Sequence, residues 1–403
     1  MLVLYGILGV LLCAFVIYFV GYGFVGLFKK IRCPEESSHQ NHFAVIIPAR
    51  NESTVIGNLL DSLKEMDYPE DLYDVYAIVN NCTDDTEEVV RKHGADVLKC
   101  EKPVHSKGDV LAYAFATLMK KDPSIDAFVI FDADNVVDPQ FLKEMNASLE
   151  EGNTIAQGRR LGKNSHDDTL SGCYELFYNT QNLYFNHARY STGHSGSLNG
   201  TGWMVTRKWL EENGFHMVTL TEDLELASVA ALKHDKIGYV HQAKTYDEYP
   251  ATMKMTWREL FRWIFGQVQC LRTYGFRLLK ETFRGSSACL DMGLIMSAPL
   301  IMVIGMIFLI MTIWMPVSWA AWLHLLRRWM WVLPLLAYVF MVCVEFLGLC
   351  KVKMNIGQYA KSVFVFPLFM MIWLPITFVC LFRRNVTWKP IEHDRSVRIE
   401  DMK

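Results

Sequence analysis

Stretches free of Asp, Glu, Lys and Arg frame this chain at both ends, and short apolar runs alternate with polar clusters between them. Leu2 to Phe28 carries no such charge, nor does Met292 to Leu326 or Ser362 to Phe382, while Trp329 to Cys350 has one carboxylate, Glu345. About 20 apolar residues suffice to cross a bilayer as a helix. The pattern therefore predicts four spans, near 3–27, 291–314, 329–350 and 361–382. The first is too long for a signal-peptide core and no small-residue cleavage site follows it. Lys29, Lys30 and Arg32 follow the first span and place that end in the cytosol, with the N-terminus outward. Span counting puts the C-terminal tail outside, whereas Arg383, Arg384, Lys389 and Arg395 favour the inside. Pro367 and Pro375 interrupt the last span, and a re-entrant form would change the parity, so both orientations stand.

Residues 42–250 read as a soluble α/β unit. Phe43-Ala44-Val45-Ile46-Ile47 is continuously apolar, as a strand buried on both faces should be. Ser53 is placed to cap a helix through Met66, Tyr73 to Val79 is a second strand, Asp84 or Asp85 caps a helix through His93, and Ser106 caps another through Lys120. Phe128 to Phe131 is the next strand. This βαβαβ order predicts a mostly parallel sheet, whose ligands bind beyond the carboxyl ends of the strands. Three polar clusters sit at those ends: Arg50-Asn51-Glu52, Asn80 to Asp84, and Asp132-Ala133-Asp134. No G-x-G-x-x-G follows the first strand and no G-K-[ST] occurs, so dinucleotide and P-loop chemistries lack support.

Composition adds two exclusions. The 403 residues are 51% apolar with a net charge of −3, and no basic surface points to nucleic acid. The ten cysteines form no C-x-x-C pair, and Cys82, Cys100 and Cys173 are expected as reduced thiols of the cytosolic part.

The candidate chemistry is that of oxygen ligands and one base. Asp132 and Asp134 follow a buried strand, and Mg²⁺ or Mn²⁺ reaches substrate phosphates through such carboxylates. In Leu220-Thr221-Glu222-Asp223, Thr221 is placed to cap a helix through Leu232, and Asp223 to take the proton of an attacking hydroxyl. From Thr252 to Phe283, apolar residues at helical spacing with interspersed Arg258, Arg262, Arg272 and Lys280 predict an amphipathic interface helix. There Arg262 suits a diphosphate and Trp263 a sugar face.

In order, Pro48-Ala49-Arg50-Asn51-Glu52, Asn80-Asn81-Cys82-Thr83-Asp84, Asp132-Ala133-Asp134, Thr221-Glu222-Asp223 and Glu259-Leu260-Phe261-Arg262-Trp263 resemble the motif series of membrane-embedded family-2 glycosyltransferases, which include cellulose, chitin and hyaluronan synthases. The resemblance covers roughly residues 40–390. It implies a GT-A-type, Rossmann-like cytosolic domain (42–250) inserted in an α-helical multi-pass membrane region. The remaining parts are an N-terminal transmembrane helix (1–30), interface helices (251–284), transmembrane helices (288–382) and a tail (383–403). By the same resemblance Ala49 and Glu52 contact uridine, and Asn80, Asp84 and Lys107 belong to the nucleotide-sugar site. Asp132 and Asp134 hold diphosphate and Mg²⁺ or Mn²⁺. Thr221, Glu222 and Asp223 form the catalytic motif with Asp223 as base, and Arg262 binds the diphosphate. Trp263 floors the acceptor site, beside the loop holding Gly200 and Thr201. The chain departs from the pattern at Asn80, usually Asp, and at Glu259, usually Gln.

The expected function is inverting, metal-dependent transfer of hexose from a UDP-sugar, UDP-glucose before UDP-GlcNAc, onto a growing β-linked glycan moved across the cell membrane. Membrane lipids, and in some arrangements an export partner subunit, would be its partners. Two alternatives stand beside it: single addition to a lipid acceptor, and a non-catalytic scaffold or export subunit that keeps the fold.

Overall fold

The structure is a computed structural model that describes residues 2–35, 37–314 and 332–383. The first residues of the third expected span, 329–331, and the tail from 384 onward, with Arg384, Lys389 and Arg395, lie outside the described residues.

The chain opens with α1 (Leu2–Phe28) and then enters β1 (Phe43–Ala49). There follow α2 (Ile56–Lys64), β2 (Tyr73–Val79), α3 (Thr86–Lys92), β3 (Asp96–Lys99), α4 (Lys107–Lys121), β4 (Ala127–Ile130), β5 (Val136–Val137), α5 (Phe141–Glu150) and β6 (Ile155–Gly162). A helical rod comes next: α6 (Thr169–Asn179), a π-helical stretch (Thr180–His187) and α7 (Ala188–Tyr190). Then come β7 (Trp203–Thr206), α8 (Arg207–Asn213), α9 (Glu222–Leu232), β8 (Ile237–Asp247), α10 (Met253–Phe283), α11 (Ser287–Trp314), α12 (Val332–Val352), α13 (Ile356–Met370) and α14 (Trp373–Phe382).

Among the described residues, eight strands form one sheet in the order β3-β2-β1-β4-β7-β6-β8-β5. Its first half is parallel, as β1 pairs with β2 and β4 and β2 pairs with β3. The second half is mixed: β7 runs antiparallel to both β4 and β6, and β5 antiparallel to β8. β6 pairs parallel with β8, so four of the seven strand pairings are parallel, in line with the mostly parallel order expected, and the antiparallel ones are those made by β7 and β5. The loop before β7 reaches the rim where β4 ends at Gly202, whose N–H donates to the Ile130 carbonyl, so β7 leads away from that rim and must run against its neighbour. One apolar layer packs α4, α9 and α10 on one face, and another packs α2 and α5 on the other. β1 is completely buried over Phe43–Ile47, which accounts for its unbroken apolar run.

Capping differs in detail from the expectations. Ser106 and Asp109 form the capping box that starts α4, as expected from Ser106. α2 starts later than expected, after Val55 and without a side-chain cap, while the Ser53 N–H donates to Asp84 Oδ2. Asp85 stands at the cap position of α3, yet Asp84 Oδ1 accepts from the N–H and hydroxyl of Thr86.

Among the described residues, four helical stretches are long and apolar enough to cross a membrane: Val3–Phe28, Ser287–Trp314, Pro334–Val352 and Ile356–Phe382. The last is broken between α13 and α14, with Pro375 in the first turn of α14 where its missing N–H costs nothing. Between the sheet and these helices lies one 31-residue helix, α10, whose Leu260, Ile264, Phe265 and Val268 are buried while Trp257, Phe276 and Phe283 stay exposed. None of the ten cysteines is in a disulfide.

Candidate active site

Two strained turns form the nucleotide-side rim. Asn51, after β1, and Asn81, after β2, sit at φ 60° and 48°, a region Asn tolerates better than most residues. The turns interlock. Thr83 N–H donates to Asn51 Oδ1 at 2.8 Å, and Glu52 N–H donates to Thr86 Oγ1 at 2.9 Å. Asn80 is buried, and its Nδ2 donates to the Cys100 carbonyl at 3.0 Å. A carboxylate there would face that carbonyl with no proton to offer, which gives a local reason for Asn at this position.

The D-x-D turn is fixed from behind. Asp132 N–H donates to Asn135 Oδ1 and Thr201 Oγ1, both at 3.0 Å. Asn135 Nδ2 donates to Asp134 Oδ1 and to Asp247 Oδ1, so one buried amide ties two carboxylates together. Lys107, the first residue of α4, places Nζ 2.6 Å from Asp132 Oδ1 and 3.3 Å from Glu222 Oε1, and donates to the Gly200 carbonyl at 2.8 Å. Gly200 needs its missing side chain: φ is +95°, and a Cβ would lie 2.8 Å from Arg160. Burial works against ionisation of Asp132, but Lys107, Arg160 and Arg262 outweigh it and hold the carboxyl below its usual range.

The Thr221-Glu222-Asp223 loop starts α9 but is not held by its own cap. Thr221 occupies the cap position without a side-chain capping bond, and its hydroxyl lies 3.6 Å from Cys270 Sγ. Glu225 anchors the loop instead: Oε2 accepts from the N–H groups of Val218 and Thr219, and Oε1 accepts from the Tyr274 hydroxyl at 2.6 Å. Leu220 N–H donates to Gln269 Oε1 on α10. Burial raises the carboxyl of Asp223 and, with the Asp223 and Asp132 charges against Lys107, raises Glu222 to about 7.

These parts enclose one cavity of about 730 Å³. Ala49, Glu52, Asn80, Lys107, Asp132, Asp134, Gly200, Thr221, Glu222, Asp223, Arg262 and Trp263 all line it. Asp84 and Thr201 do not. Asp84 is engaged with Ser53 and Thr86, and fully buried Thr201 bonds Asp132 and Asn135 from behind. Three residues not singled out from the sequence also line the cavity: Arg160, Asp247 and Tyr178. Arg160 pairs with Asp247 and lies over the Tyr178 ring at 4.1 Å. A β-bulge between Gly158 and Arg159 re-aims β6 there. A doubled arginine inside an otherwise buried strand was the available signal. The helical part of the lining is largely apolar, with Phe15, Phe19 and Phe24 of α1, Met302 of α11 and Phe340 of α12, beside Thr180, Gln181 and Gln267.

A family profile described as "Glycosyltransferase like family 2" matches residues 39–266, which include every cavity motif from β1 to Trp263. The chain belongs to glycosyltransferase family 2. Among relatives of this family-2 chain, the probable glycosyltransferase YdaM of Bacillus subtilis is 26% identical over 235 residues, 55% of this chain and 54% of that protein. A beta-monoglucosyldiacylglycerol synthase of Synechocystis sp. is 26% identical over 232 residues, 56% of this chain and 47% of that protein. The chain thus spans about half the length of these curated relatives. The mannosyltransferase PcManGT of Pyrobaculum calidifontis, solved with GDP-Man and Mn²⁺, shares the fold at a TM-score of 0.57 and 17% identity, covering 85% of this chain and 98% of that one. The fold of this family-2 chain is of the GT-A type, a curled mixed sheet joined to a helical region.

Proposed function

We propose that this family-2 chain transfers one hexose from a nucleoside-diphosphate sugar, UDP-glucose before UDP-GlcNAc, to a hydroxyl carried by a membrane lipid, with inversion. The observation that carries this reading is the single cavity running from the charged rim at Lys107 and Asp132, past Asp223, to the aromatic and aliphatic side chains of α1, α11 and α12. A polysaccharide in transit would present hydroxyls to Phe15, Phe19, Phe24 and Met302, which cannot bond them. A lipid tail is matched to that lining. This favours the lipid acceptor over the polymerising reading. The Synechocystis relative is by name a glycolipid synthase, in line with this choice. Lys29, Lys30 and Arg32 favour a cytosolic catalytic domain at the cell membrane.

The residues at the D-x-D turn fit a divalent metal. Asp132, Asp134 and Asp247 line the cavity and offer only carboxylate oxygens, as Mg²⁺ and Mn²⁺ require. Burial, with the nearby Asp134 and Asp132 charges, raises Asp247 to about 6 despite its Arg160 partner, a crowding that a cation relieves. Asp132 and Asp134 would hold the ion, which neutralises charge on the departing diphosphate. Lys107 and Arg262 supply further positive charge to that side of the cavity. Asp223 accepts the acceptor's proton as the acceptor oxygen bonds the anomeric carbon and the bond from that carbon to the diphosphate breaks. One base on the acceptor side is what inversion needs, and the shared cavity lining by Asp132, Asp134 and Asp223 speaks against a scaffold that has lost catalysis.

The test is incubation of the protein in nanodiscs with radiolabelled UDP-glucose, UDP-GlcNAc or GDP-mannose and Mg²⁺ or Mn²⁺. Label in the solvent-extractable lipid as a single added sugar is expected. Label in a polymer would overturn the lipid reading in favour of a processive synthase.

A further inference from the structure

Arg159 is a buried cation with no carboxylate beside it. It follows the bulge in β6 and is 7% exposed; its neighbour Arg160 lines the catalytic cavity, and Arg159 does not. Its Nη1 donates to His241 Nε2 at 3.1 Å, its Nη2 lies 3.9 Å from Met354 Sδ, and its Nε is buried without an acceptor. A guanidinium can only donate, so His241 Nε2 is unprotonated and that ring is neutral, with its Nδ1 3.3 Å from the Tyr239 hydroxyl. The carboxyl that acts on Arg159 is Glu175 of α6. Its Oε2 is taken by the Gly162 N–H and the Tyr249 hydroxyl, and burial raises it to about 7 against Gly162, Arg159 and Tyr249. A buried charge without a counter-charge is expensive to keep, so Arg159 marks a place for an anion from outside the chain.

Arg159 closes a basic belt at the sheet-side ends of two membrane helices. Lys351, near the end of α12, donates Nζ at 2.8 Å to the carbonyl of Lys29, just past α1. The same carbonyl lies 3.4 Å from His187 Nε2, at the end of the π-helical stretch. Burial lowers His241 to about 2, with Arg159, His187 and Lys244 acting in the same direction. Met354, in the turn between α12 and α13, leads back to Arg159, and Lys353 of that turn is exposed. Among the described residues, no carboxylate lies within 4.0 Å of the charged groups of Lys29, Arg159, Lys351 or Lys353. Exposed lysines at that level are the ordinary basic flank of a membrane helix. A guanidinium buried beneath them without a counter-charge is not.

We propose that Arg159, Lys29, Lys351 and Lys353 bind the phosphate headgroup of an anionic phospholipid of the cytosolic leaflet, at a site separate from the catalytic cavity. Charge selects an anion, and the position selects a lipid, since phosphates of a bilayer lie where α1 and α12 leave its apolar core. Met354, flexible and half-buried, lies over Arg159 and moves aside as the headgroup enters. The bound lipid then ties β6 and β8 to the ends of α1 and α12. The proposal rests on the membrane placement of these helices and is independent of what the enzyme uses as acceptor.

The experiment is thermal unfolding of the full chain in a neutral detergent with dioctanoyl-phosphatidylglycerol, dioctanoyl-phosphatidylcholine or inorganic phosphate. Phosphatidylglycerol should raise the apparent Tm by at least about 4 °C, as a ligand of the folded state alone does. Phosphatidylcholine, whose choline cancels the charge, and inorganic phosphate, which has no tails, should each shift it by less than about 1 °C. Arg159→Met and Lys351→Gln should each remove more than about half of the phosphatidylglycerol shift, whereas Lys280→Gln, exposed on α10 outside the belt, should keep it. Without lipid, Arg159→Met should unfold no lower than the wild type, because it deletes an uncompensated buried charge. A baseline drop of more than about 4 °C in that variant would reveal a counter-charge within the protein and overturn the site. Equal losses in Lys280→Gln, or none in Lys351→Gln, would reduce the effect to general attraction and overturn it too. An equal shift with phosphatidylcholine would assign it to the tails, and an equal shift with inorganic phosphate to a soluble anion; either defeats the lipid-headgroup site. None of these readouts uses sugar transfer, so each leaves the acceptor reading standing.

Discussion

Lys107 Nζ lies 2.6 Å from Asp132 Oδ1, which makes the first residue of α4 the counter-charge of the D-x-D turn. The same ammonium reaches Glu222 and the Gly200 carbonyl. One side chain therefore joins the turn after β4, the loop before β7 and the start of α9.

Lys107→Met should have two separable effects. It strands Glu222, whose side chain is 8% exposed, beside Asp223, and removing one partner of a buried pair costs roughly 3 kcal/mol. Apparent Tm in detergent reports that loss. It also removes a positive charge from Asp132, so Mn²⁺ binding, followed by electron paramagnetic resonance without nucleotide, should tighten by at least about five-fold. Weaker Mn²⁺ binding would show that Lys107 organises the carboxylate more than it competes with the ion.

Asp223→Asn should keep UDP affinity within about two-fold and lower turnover by at least about 100-fold, the usual scale of a lost general base. Isothermal titration and the lipid-transfer assay separate the two quantities. Retention of more than about a tenth of the activity would place the base elsewhere.

Gly266 lets α10 approach the catalytic loop. A Cβ built there lies 2.5 Å from Thr221 Cγ2 and 2.7 Å from its Oγ1. Gly266→Ala should therefore push Thr221 and its neighbour Asp223 out of register and cut turnover about ten-fold, since small misplacements near the reacting atoms are costly. Gly293→Ala, whose Cβ would meet nothing nearer than 4.0 Å, serves as the control and should be near neutral. Comparable losses in both variants would mean that the effect at Gly266 does not come from its contact with Thr221.

Burial raises the Glu259 carboxyl from 4.5 to about 7, against the lowering effect of Arg262 and Arg160. A native pKa above the unfolded one means that the native state binds more protons between those values. Stability therefore falls as pH rises from about 4.5 to about 7 and is flat above, by up to roughly 3 kcal/mol for this group. Glu259→Gln should flatten that part of the Tm-against-pH curve measured in detergent. An unchanged slope would assign the pH dependence to Glu175, Glu222 or Asp247.

The sequence by itself determined the layout. Charge-free stretches at both ends produce membrane-length helices, and a run as apolar as Phe43–Ile47 has one stable place, the centre of a sheet covered on both faces. Strand ends followed by Asn, Asp and Glu marked the rim, because polar residues directly after a buried strand must emerge at its end. Ser106, with a carboxylate three residues on, was legible as a helix start for a purely local reason, the capping box.

Only the tertiary structure decided what depends on distant partners. Ser53 and Thr221 have the chemistry of caps, yet Asp84 and Glu225 do that work, because a neighbouring turn and α10 bring them donors that local sequence cannot announce. Thr201 lies two residues before β7 but is spent behind Asp132, since β7 pairs with β4 and brings its leading loop under the D-x-D turn. Arg160 and Asp247 meet across paired strands 87 residues apart, and no periodicity in either strand marks that contact.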